Sequence, residues 1–222
     1  HFNEALLDAP FSLRKPARIL VAFTGDMFGP GVKRDWQDAI LRTVSLASQH
    51  TFLFLTKSPA NLASFNPWPD NAWVGASVTG DASMTTALRG LSWVNAKVRW
   101  LSIEPLLGAI TILDPDYTSY PTMKSHPLKG FAEWIIIGAA SGPVLPQGRM
   151  PRREWVIEIV NAADKAGIPI WIKRNLRKLY PELPAREELQ IRQCVLRVFP
   201  AIRKWASKQP LSITGKLETP QG

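Results

Sequence analysis

Short apolar runs recur along the chain and alternate with segments of helical periodicity. Each run is at most seven residues long, is rich in Val, Ile, Phe and Trp, and hardly alternates between apolar and polar positions. Such runs are typical of strands that are buried on both faces of a parallel sheet. We therefore predict six strands, at residues 17–23, 51–55, 72–77, 98–103, 133–139 and 168–172.

The segments between the runs place apolar residues three or four positions apart, and they predict helices at 32–48, 80–95 and 151–166. Asp81 is a candidate cap of the second helix. Pro151 fits the first turn of the third helix, and Gly167 is expected to end it. The alternation of strands and helices predicts right-handed crossovers and an α/β fold with a parallel sheet.

Two segments do not follow this alternation. Residues 111–130 contain three prolines and several turn-forming residues, and we interpret them as an inserted loop. The last residues show no strong periodicity. We expect a β/α core over residues 1–180 and a basic extension over residues 181–222.

The charge of the chain is concentrated in its last third. The 222 residues are 45% hydrophobic and 20% charged, which excludes an intrinsically disordered protein, and their formal net charge is +9. Residues 1–148 contain 12 basic and 11 acidic side chains, whereas residues 149–222 contain 15 and 7. A basic third can attract nucleic acid, although a solvated charged face explains it equally well.

The single cysteine, Cys194, excludes an internal disulfide framework and any metal site built from this chain's cysteines alone. The first residues lack the pattern of a signal peptide, and no apolar stretch is long enough to span a bilayer, so no membrane partner is expected. With a lone thiol, these features predict a cytoplasmic protein. Because the first residue is His1 rather than Met, we also expect a fragment or a processed product.

Polar residues follow each predicted strand, and parallel β/α folds place their sites at the carboxyl ends of the strands. We expect these residues to meet on one rim. They are Thr24, Gly25 and Asp26; Thr56 and Lys57; Ser77 and Thr79; Ser102, Glu104 and Pro105; Gly138, Ser141 and Gly142; and Lys173 and Arg174.

The catalytic candidates on this rim are Asp26, Lys57, Glu104 and Lys173. An acid at Glu104 can bind an amine or transfer a proton, and a lysine can hold an anion or form a Schiff base. An ion pair of Glu104 with Lys57 or Lys173 explains these residues equally well.

Small residues on the rim are candidates for cofactor binding, because GAASG at 138–142 offers backbone N–H groups to a phosphate or cofactor. Ser77, Thr79 and Ser141, taken singly, are explained more simply as helix caps. The full set of candidates is Ser77, Thr79, Ser102, Gly138, Ser141 and Gly142.

A group of basic residues flanks the sixth predicted strand and is the candidate nucleic-acid interface. Arginine and lysine at such positions can contact phosphates. The group consists of Arg149, Arg152, Arg153, Arg174, Arg177 and Lys178.

Six segments together resemble the phage-associated "gene product 37/68" proteins, a family of unknown function that is similar to radical-SAM enzymes. They stand in the family's order and at similar spacing between residues 5 and 176. The segments are LLDAPFSLRKPARILVAFTGDMF, HTFLFLTKSPANL, NAWVGASVTGD, VRWLSIEPLLGAI, EWIIIGAASGP and AGIPIWIKRNL.

The resemblance implies a partial (β/α) barrel of the radical-SAM type, with about six parallel strands and flanking helices. Such enzymes hold a [4Fe–4S] cluster through three cysteines and cleave S-adenosylmethionine reductively. The family's cysteine-rich segment lies upstream of the part that this chain matches, so both cofactors are implied for a full-length form and none for this chain alone. Carried over by position, the best candidates are Asp26, Lys57, Ser77, Glu104, Ser141 and Lys173.

The chain departs from the family at two motifs. Gly29 stands where an SMSDLFH-like segment has its histidine, and GAASGP replaces a GGESGP-like loop and lacks its acid. Three hypotheses follow. The first is a radical-SAM-like enzyme, present here as a fragment or as a natural variant that has lost the chemistry, which acts on an unknown substrate or on nucleic acid. The others are a non-catalytic nucleic-acid-binding module, and a Schiff-base or other metal-free barrel enzyme with Lys57 or Lys173 as the amine.

Overall fold

Six parallel strands form a sheet in which spatial order follows chain order, and the sheet curls into a half-barrel flanked by helices. The computed structural model describes residues 2–22, 25–112, 128–140 and 150–183. The strands are β1 (Arg18–Leu20), β2 (Thr51–Thr56), β3 (Ala72–Val78), β4 (Val98–Ile103), β5 (Trp134–Ile137) and β6 (Ile170–Ile172). The helices are α1 (Arg34–Leu46), α2 (Asp81–Leu91), α3 (Arg153–Ala166) and α4 (Arg174–Leu179), and 3₁₀ segments cover Glu4–Ser12 and Pro59–Phe65.

The strands are mostly apolar because both faces of the sheet pack against apolar layers. The outer layer faces the helices, where strand residues such as Phe54 and Ile135 join helix residues such as Leu88 and Ile159 in one buried cluster. The inner layer forms a second cluster on the opposite face. Its members are Leu53, Trp100, Trp134 and Ile136, with Leu20, Leu55, Trp73, Val98 and Trp171 packed against them. The predicted parallel α/β fold is therefore confirmed, as is the half-barrel.

Tryptophan rings dominate the inner layer. The ring of Trp134 lies 5.4 Å from that of Trp100 and 5.8 Å from that of Trp73, between centroids. Trp100 lies beside Gly75, its register partner on β3, and a Cβ at Gly75 would come within 2.4 Å of the indole. Gly75 therefore leaves the space that this ring occupies.

Two helix starts differ from the expectation. The helix predicted to be capped by Asp81 begins at that residue, and Gly80 is its N-cap. The hydroxyl of Ser83, the third residue of the helix, accepts hydrogen bonds from the backbone N–H groups of Thr79 and Gly80, at 2.8 and 3.1 Å, as the third residue of a capping box does. The prediction of Asp81 as the cap was wrong.

The helix α3 begins two residues later than predicted. Its N-cap is Arg152, so Pro151 lies outside the first turn. The Pro151 carbonyl accepts a 2.6 Å hydrogen bond from the Tyr180 hydroxyl. Gly167 ends the helix in a left-handed conformation (φ 68°), as predicted.

The shortest elements of the fold were not predicted from the sequence. The 3₁₀ segments and the six-residue helix α4 are too short to show a period. The first 3₁₀ segment is joined to the sheet by His50, which is 1% exposed. Its Nδ1 accepts from the backbone N–H of Ala17 at 3.1 Å, and its Nε2 lies 2.9 Å from the Pro10 carbonyl oxygen.

Two predicted segments fall largely outside the described residues. The inserted loop lies there over 113–127, and the C-terminal extension lies there from residue 184, which includes Cys194. The division into a core and an extension therefore stays a prediction. Within the described residues, no helix has the length and apolar character needed to cross a bilayer.

Candidate functional site at the carboxyl ends of the strands

Asp26, just after β1, uses its carboxylate to join the ends of two strands. Its Oδ1 accepts hydrogen bonds from the Thr56 hydroxyl at 2.7 Å and from the backbone N–H of Phe28 at 3.0 Å. Its Oδ2 accepts from the backbone N–H of Lys57 at 2.7 Å. Asp26 therefore positions the loop after β1 against the end of β2, and a catalytic role for it stays a prediction.

A cavity of about 390 Å³ opens between the carboxyl ends of β1, β2 and β3. This volume lies within the roughly 300–1,000 Å³ usual for small-molecule sites. Ala22, on its wall, has a positive φ of 50°, which is uncommon for a residue other than glycine. The described lining residues are Leu20, Val21, Ala22, Gly25, Asp26, Leu55, Thr56, Lys57 and Ser77.

Two hydrogen-bond donors on the cavity wall remain for a ligand. The Asp26 carboxylate and the Thr56 hydroxyl are used internally, because Thr56 donates to Asp26 and accepts from the Ser58 N–H at 2.9 Å. The Lys57 ammonium and the Ser77 hydroxyl form no hydrogen bond with any residue that the structure describes. Lys57 is exposed and Ser77 is half-buried.

Two further candidates lie on neighbouring strands. Ser102 is 6% exposed on β4, in register between Ser77 of β3 and Ile136 of β5. Thr79 follows β3, and its backbone N–H is taken by the Ser83 hydroxyl. Thr79 therefore lies just before the start of α2, but the N-cap of that helix is Gly80, so the helix-cap interpretation of Thr79 was wrong.

Glu104 and Lys173 meet at the β4–β6 end of the rim. The Lys173 ammonium donates to Glu104 Oε2 at 2.5 Å, and the two side chains are 34% and 21% exposed. They reach over Gly138, where a Cβ would come within 2.9 Å of the Glu104 carboxyl carbon and 3.0 Å of the Lys173 Cδ. Of the two ion pairs left open by the sequence, the structure shows that of Glu104 with Lys173.

Two residues that the sequence analysis missed support this pair. Lys173 Nζ lies 5.9 Å from the ring centroid of Trp171 in the inner layer. Asn175 donates to the Ala139 carbonyl at 2.6 Å and accepts from the Ala139 N–H at 3.3 Å, so it holds the loop after β5 against α4. No sequence signal marks Asn175, because its partner is 36 residues away.

The basic candidates divide into paired and exposed groups. Arg153 forms a 2.5 Å ion pair with Glu182, and this pair lowers the pKa of the Glu182 carboxyl below its ordinary value of 4.5, chiefly through the hydrogen bond from Arg153. The guanidinium of Arg152 lies 5.4 Å from the ring centroid of Trp155. Arg174 and Lys178 are exposed on α4, and Arg177 is half-buried there.

Three candidates cannot be placed. Ser141, Gly142 and Arg149 lie in residues 141–149, outside the described part of the chain. Within that part, no three His, Cys, Asp or Glu side chains gather in an arrangement that could hold a metal ion.

Comparison with known proteins identifies a family. The family model described as "Protein of unknown function (DUF5131)" matches residues 1–178. No curated protein and no solved structure matches the chain. The expectation of an uncharacterised family is confirmed, while the phage association and the radical-SAM relationship stay predictions. The chain belongs to the DUF5131 family, whose function is unknown.

Proposed function

We propose that the cavity between β1, β2 and β3 binds S-adenosylmethionine, the ligand that the resemblance to radical-SAM enzymes implies. The observation that supports this is a pair of donors on the wall of one cavity, the Lys57 ammonium and the Ser77 hydroxyl, which bind none of the described residues. A cationic and a neutral donor together suit a carboxylate, and adenosylmethionine has one in its methionine part. The apolar wall, including Leu20 and Leu55, suits the rest of the ligand.

The iron–sulfur cluster does not fit these residues. Adenosylmethionine supplies a sulfonium centre that a reduced [4Fe–4S] cluster can cleave, and the cluster needs three cysteine ligands. The chain has one cysteine, and the described residues bring together no three potential metal ligands. We therefore propose adenosylmethionine binding by this chain and derive no reaction step that uses a cluster.

The geometry favours this function over Schiff-base chemistry. A lysine that forms a Schiff base is activated by an apolar, desolvated pocket or by a neighbouring cation. Lys57 is exposed, and the Lys173 ammonium is bound to the Glu104 carboxylate. Neither amine lies in such surroundings.

The test is calorimetric titration of the whole chain with adenosylmethionine and with its decarboxylated form. We expect Lys57→Gln to lower the affinity for adenosylmethionine about fivefold, which corresponds to the upper end of the free energy of an exposed ion pair. Ser77→Ala removes a hydrogen bond and should have an effect of similar size. The decarboxylated ligand should bind the wild-type protein more weakly and should be unaffected by Lys57→Gln.

Control variants lie away from the cavity. Lys97→Gln removes an exposed lysine that precedes β4 at the opposite end of the strands, and Ser45→Ala removes an exposed serine of α1. Both controls should retain wild-type affinity. Equal affinity for the two ligands, or equal losses in Lys57→Gln and Lys97→Gln, would contradict the proposal.

A second function, nucleic-acid binding, is favoured by the exposed cations next to this rim. Arg174 and Lys178 lie on α4, directly after β6, and Arg152 precedes α3. These positions follow the carboxyl ends of β5 and β6, so a bound strand would pass the Glu104–Lys173 end of the rim. Phosphate contacts of this kind make affinity fall steeply with salt.

A salt titration with single-stranded and double-stranded DNA and RNA tests this function. The double variant Arg174→Gln/Lys178→Gln should reduce the slope of log affinity against log salt by about 1.4–1.8, since each contact is worth about 0.7–0.9. The control Arg42→Gln/Lys165→Gln removes two exposed charges from α1 and from the far end of α3. Affinity that is independent of salt, or no binding at low salt, would exclude the function.

A further inference from the structure

The Glu104–Lys173 pair has hydrogen-bonding capacity that the residues described by the structure do not use. The Lys173 ammonium has three N–H donors, and one of them is bound to Glu104 Oε2. Glu104 Oε1 accepts no hydrogen bond from the residues that the structure describes. Because the side chains are 21% and 34% exposed, a solute can reach both charges.

A second ion pair, at the amino ends of β4 and β5, has no such unused oxygen. Glu133 uses both carboxylate oxygens on Arg99, since Oε2 accepts from the backbone N–H and from Nε, and Oε1 accepts from the guanidinium. The backbone N–H of Glu133 also donates to the Arg99 carbonyl at 2.8 Å. This second pair joins β4 to the start of β5 and leaves no carboxylate oxygen unused.

The surroundings of the Glu104–Lys173 pair are a bare backbone and an aromatic ring. Gly138 lies directly against the two side chains, and a Cβ there would meet both of them. The Trp171 ring, 5.9 Å from the Lys173 ammonium, belongs to the apolar inner layer. A carboxylate, an ammonium and an apolar ring are therefore adjacent at one end of the rim.

We infer that this end of the rim binds a free α-amino acid with an apolar side chain. Glu104 pairs with the ammonium of the ligand, Lys173 pairs with its carboxylate, and the Trp171 ring packs against its side chain. Each internal charge exchanges one partner for another of the same sign, so no ion is left unpaired when the ligand enters. This site differs from the adenosylmethionine cavity, and the inference does not depend on that cavity.

The experiment titrates the whole chain with L-phenylalanine, 3-phenylpropanoate and phenethylamine. The last two lack the ammonium and the carboxylate respectively. We expect each to bind the wild-type protein about fivefold more weakly than phenylalanine, as for the loss of one exposed ion pair. These comparisons use the unaltered protein and need no variant to fold.

Variants assign each group of the ligand to its partner. Glu104→Gln should weaken the binding of phenylalanine about fivefold but should not weaken that of 3-phenylpropanoate, and Lys173→Met should not weaken the binding of phenethylamine. The control variants Glu133→Gln and Arg99→Met should bind phenylalanine as the wild type does. Lys57→Gln should also retain phenylalanine binding, which separates this site from the adenosylmethionine cavity.

The inference would be overturned by absence of phenylalanine binding or by equal affinity for the three compounds. It would also be overturned if Lys57→Gln weakened phenylalanine binding and Glu104→Gln did not. Guanosine or cytidine bound more tightly than phenylalanine would also overturn it, because the pair would then be a reader of nucleobase edges.

Discussion

Lys173 donates its hydrogen bond to Glu104 across the width of β5, since the two residues follow β6 and β4. Gly138, which follows β5, lies between them and has no side chain to separate them. The ion pair between the ends of β4 and β6 therefore depends on a glycine at the end of the strand between them.

Gly138→Ala should therefore displace the pair. The new Cβ would come within 2.9–3.0 Å of Glu104 and Lys173, whose flexible ends can move away. We expect a loss of unfolding free energy of about 1 kcal/mol, at the low end for overpacking, together with weaker phenylalanine binding. Urea unfolding measures the first quantity and calorimetry the second.

Gly108→Ala is the control for this substitution. Gly108 lies in the loop after β4, and a Cβ there meets nothing within 4 Å. The free energy of unfolding of the Gly108→Ala variant should equal that of the wild type or be slightly higher. Equal effects of the two substitutions would show that the contacts at Gly138 do not matter.

Gly75→Ala should be more destabilising than Gly138→Ala. Its Cβ would come within 2.4–2.6 Å of the Trp100 indole, which is 2% exposed and cannot turn away as a flexible chain end can. We expect a loss of about 2–3 kcal/mol in unfolding free energy, the upper part of the range for overpacking. Near-ultraviolet circular dichroism should also change, because the inner tryptophan layer is disturbed. A loss no greater than that of Gly138→Ala would contradict the packing argument.

Asp26→Asn should loosen the junction between the loop after β1 and β2. Asn has one accepting oxygen, which satisfies two donors, Thr56 and Phe28, at the Oδ1 position and only one at Oδ2, so the Lys57 N–H is the donor that loses its acceptor. Hydrogen bonds to a charged group contribute about 1.5–3 kcal/mol to stability, and we expect the free energy of unfolding to fall by an amount in the lower half of that range. Amide hydrogen exchange at Lys57 should become faster, while exchange in α3 should not change. Unaltered exchange at Lys57 would exclude the positioning role of Asp26.

The Arg153–Glu182 pair predicts a dependence of stability on acid pH. Its hydrogen bond keeps the pKa of Glu182 below 4.5 in the folded protein, so the stabilisation is fully present above the unfolded pKa. It is lost as the pH falls from about 4.5 through the lower folded value. In Arg153→Gln, carboxyl NMR titration should show the pKa of Glu182 rising towards its ordinary value. Arg152→Gln, which leaves the pair intact, should not raise the pKa.

Much of the fold follows from local pattern. The predominantly apolar run at 98–103 became β4 without a change of bounds, and Gly167 ended its helix as expected. Both features can be predicted from a few consecutive residues. A strand buried on both faces requires a run of apolar residues, and a left-handed helix end favours glycine. The short helix α4 was not visible, because six residues are too few to show a period.

The candidate site was predicted only as a set of strand ends. The sequence placed Lys57, Glu104 and Lys173 on one rim, because parallel strands end together. It left open which lysine pairs with Glu104. That choice depends on strand order, on the bare backbone of Gly138 and on the reach of the side chains.

What the sequence by itself determined is therefore the elements, their alternation and the types of residue on the rim, since period and composition are local properties. Tertiary structure alone decided that Lys173 pairs with Glu104 and that Asp26 is used in joining β1 to β2. It also decided that Trp73, Trp100, Trp134 and Trp171 lie together on the inner face. These relationships are set by contacts between residues 30 or more positions apart, which no local pattern encodes.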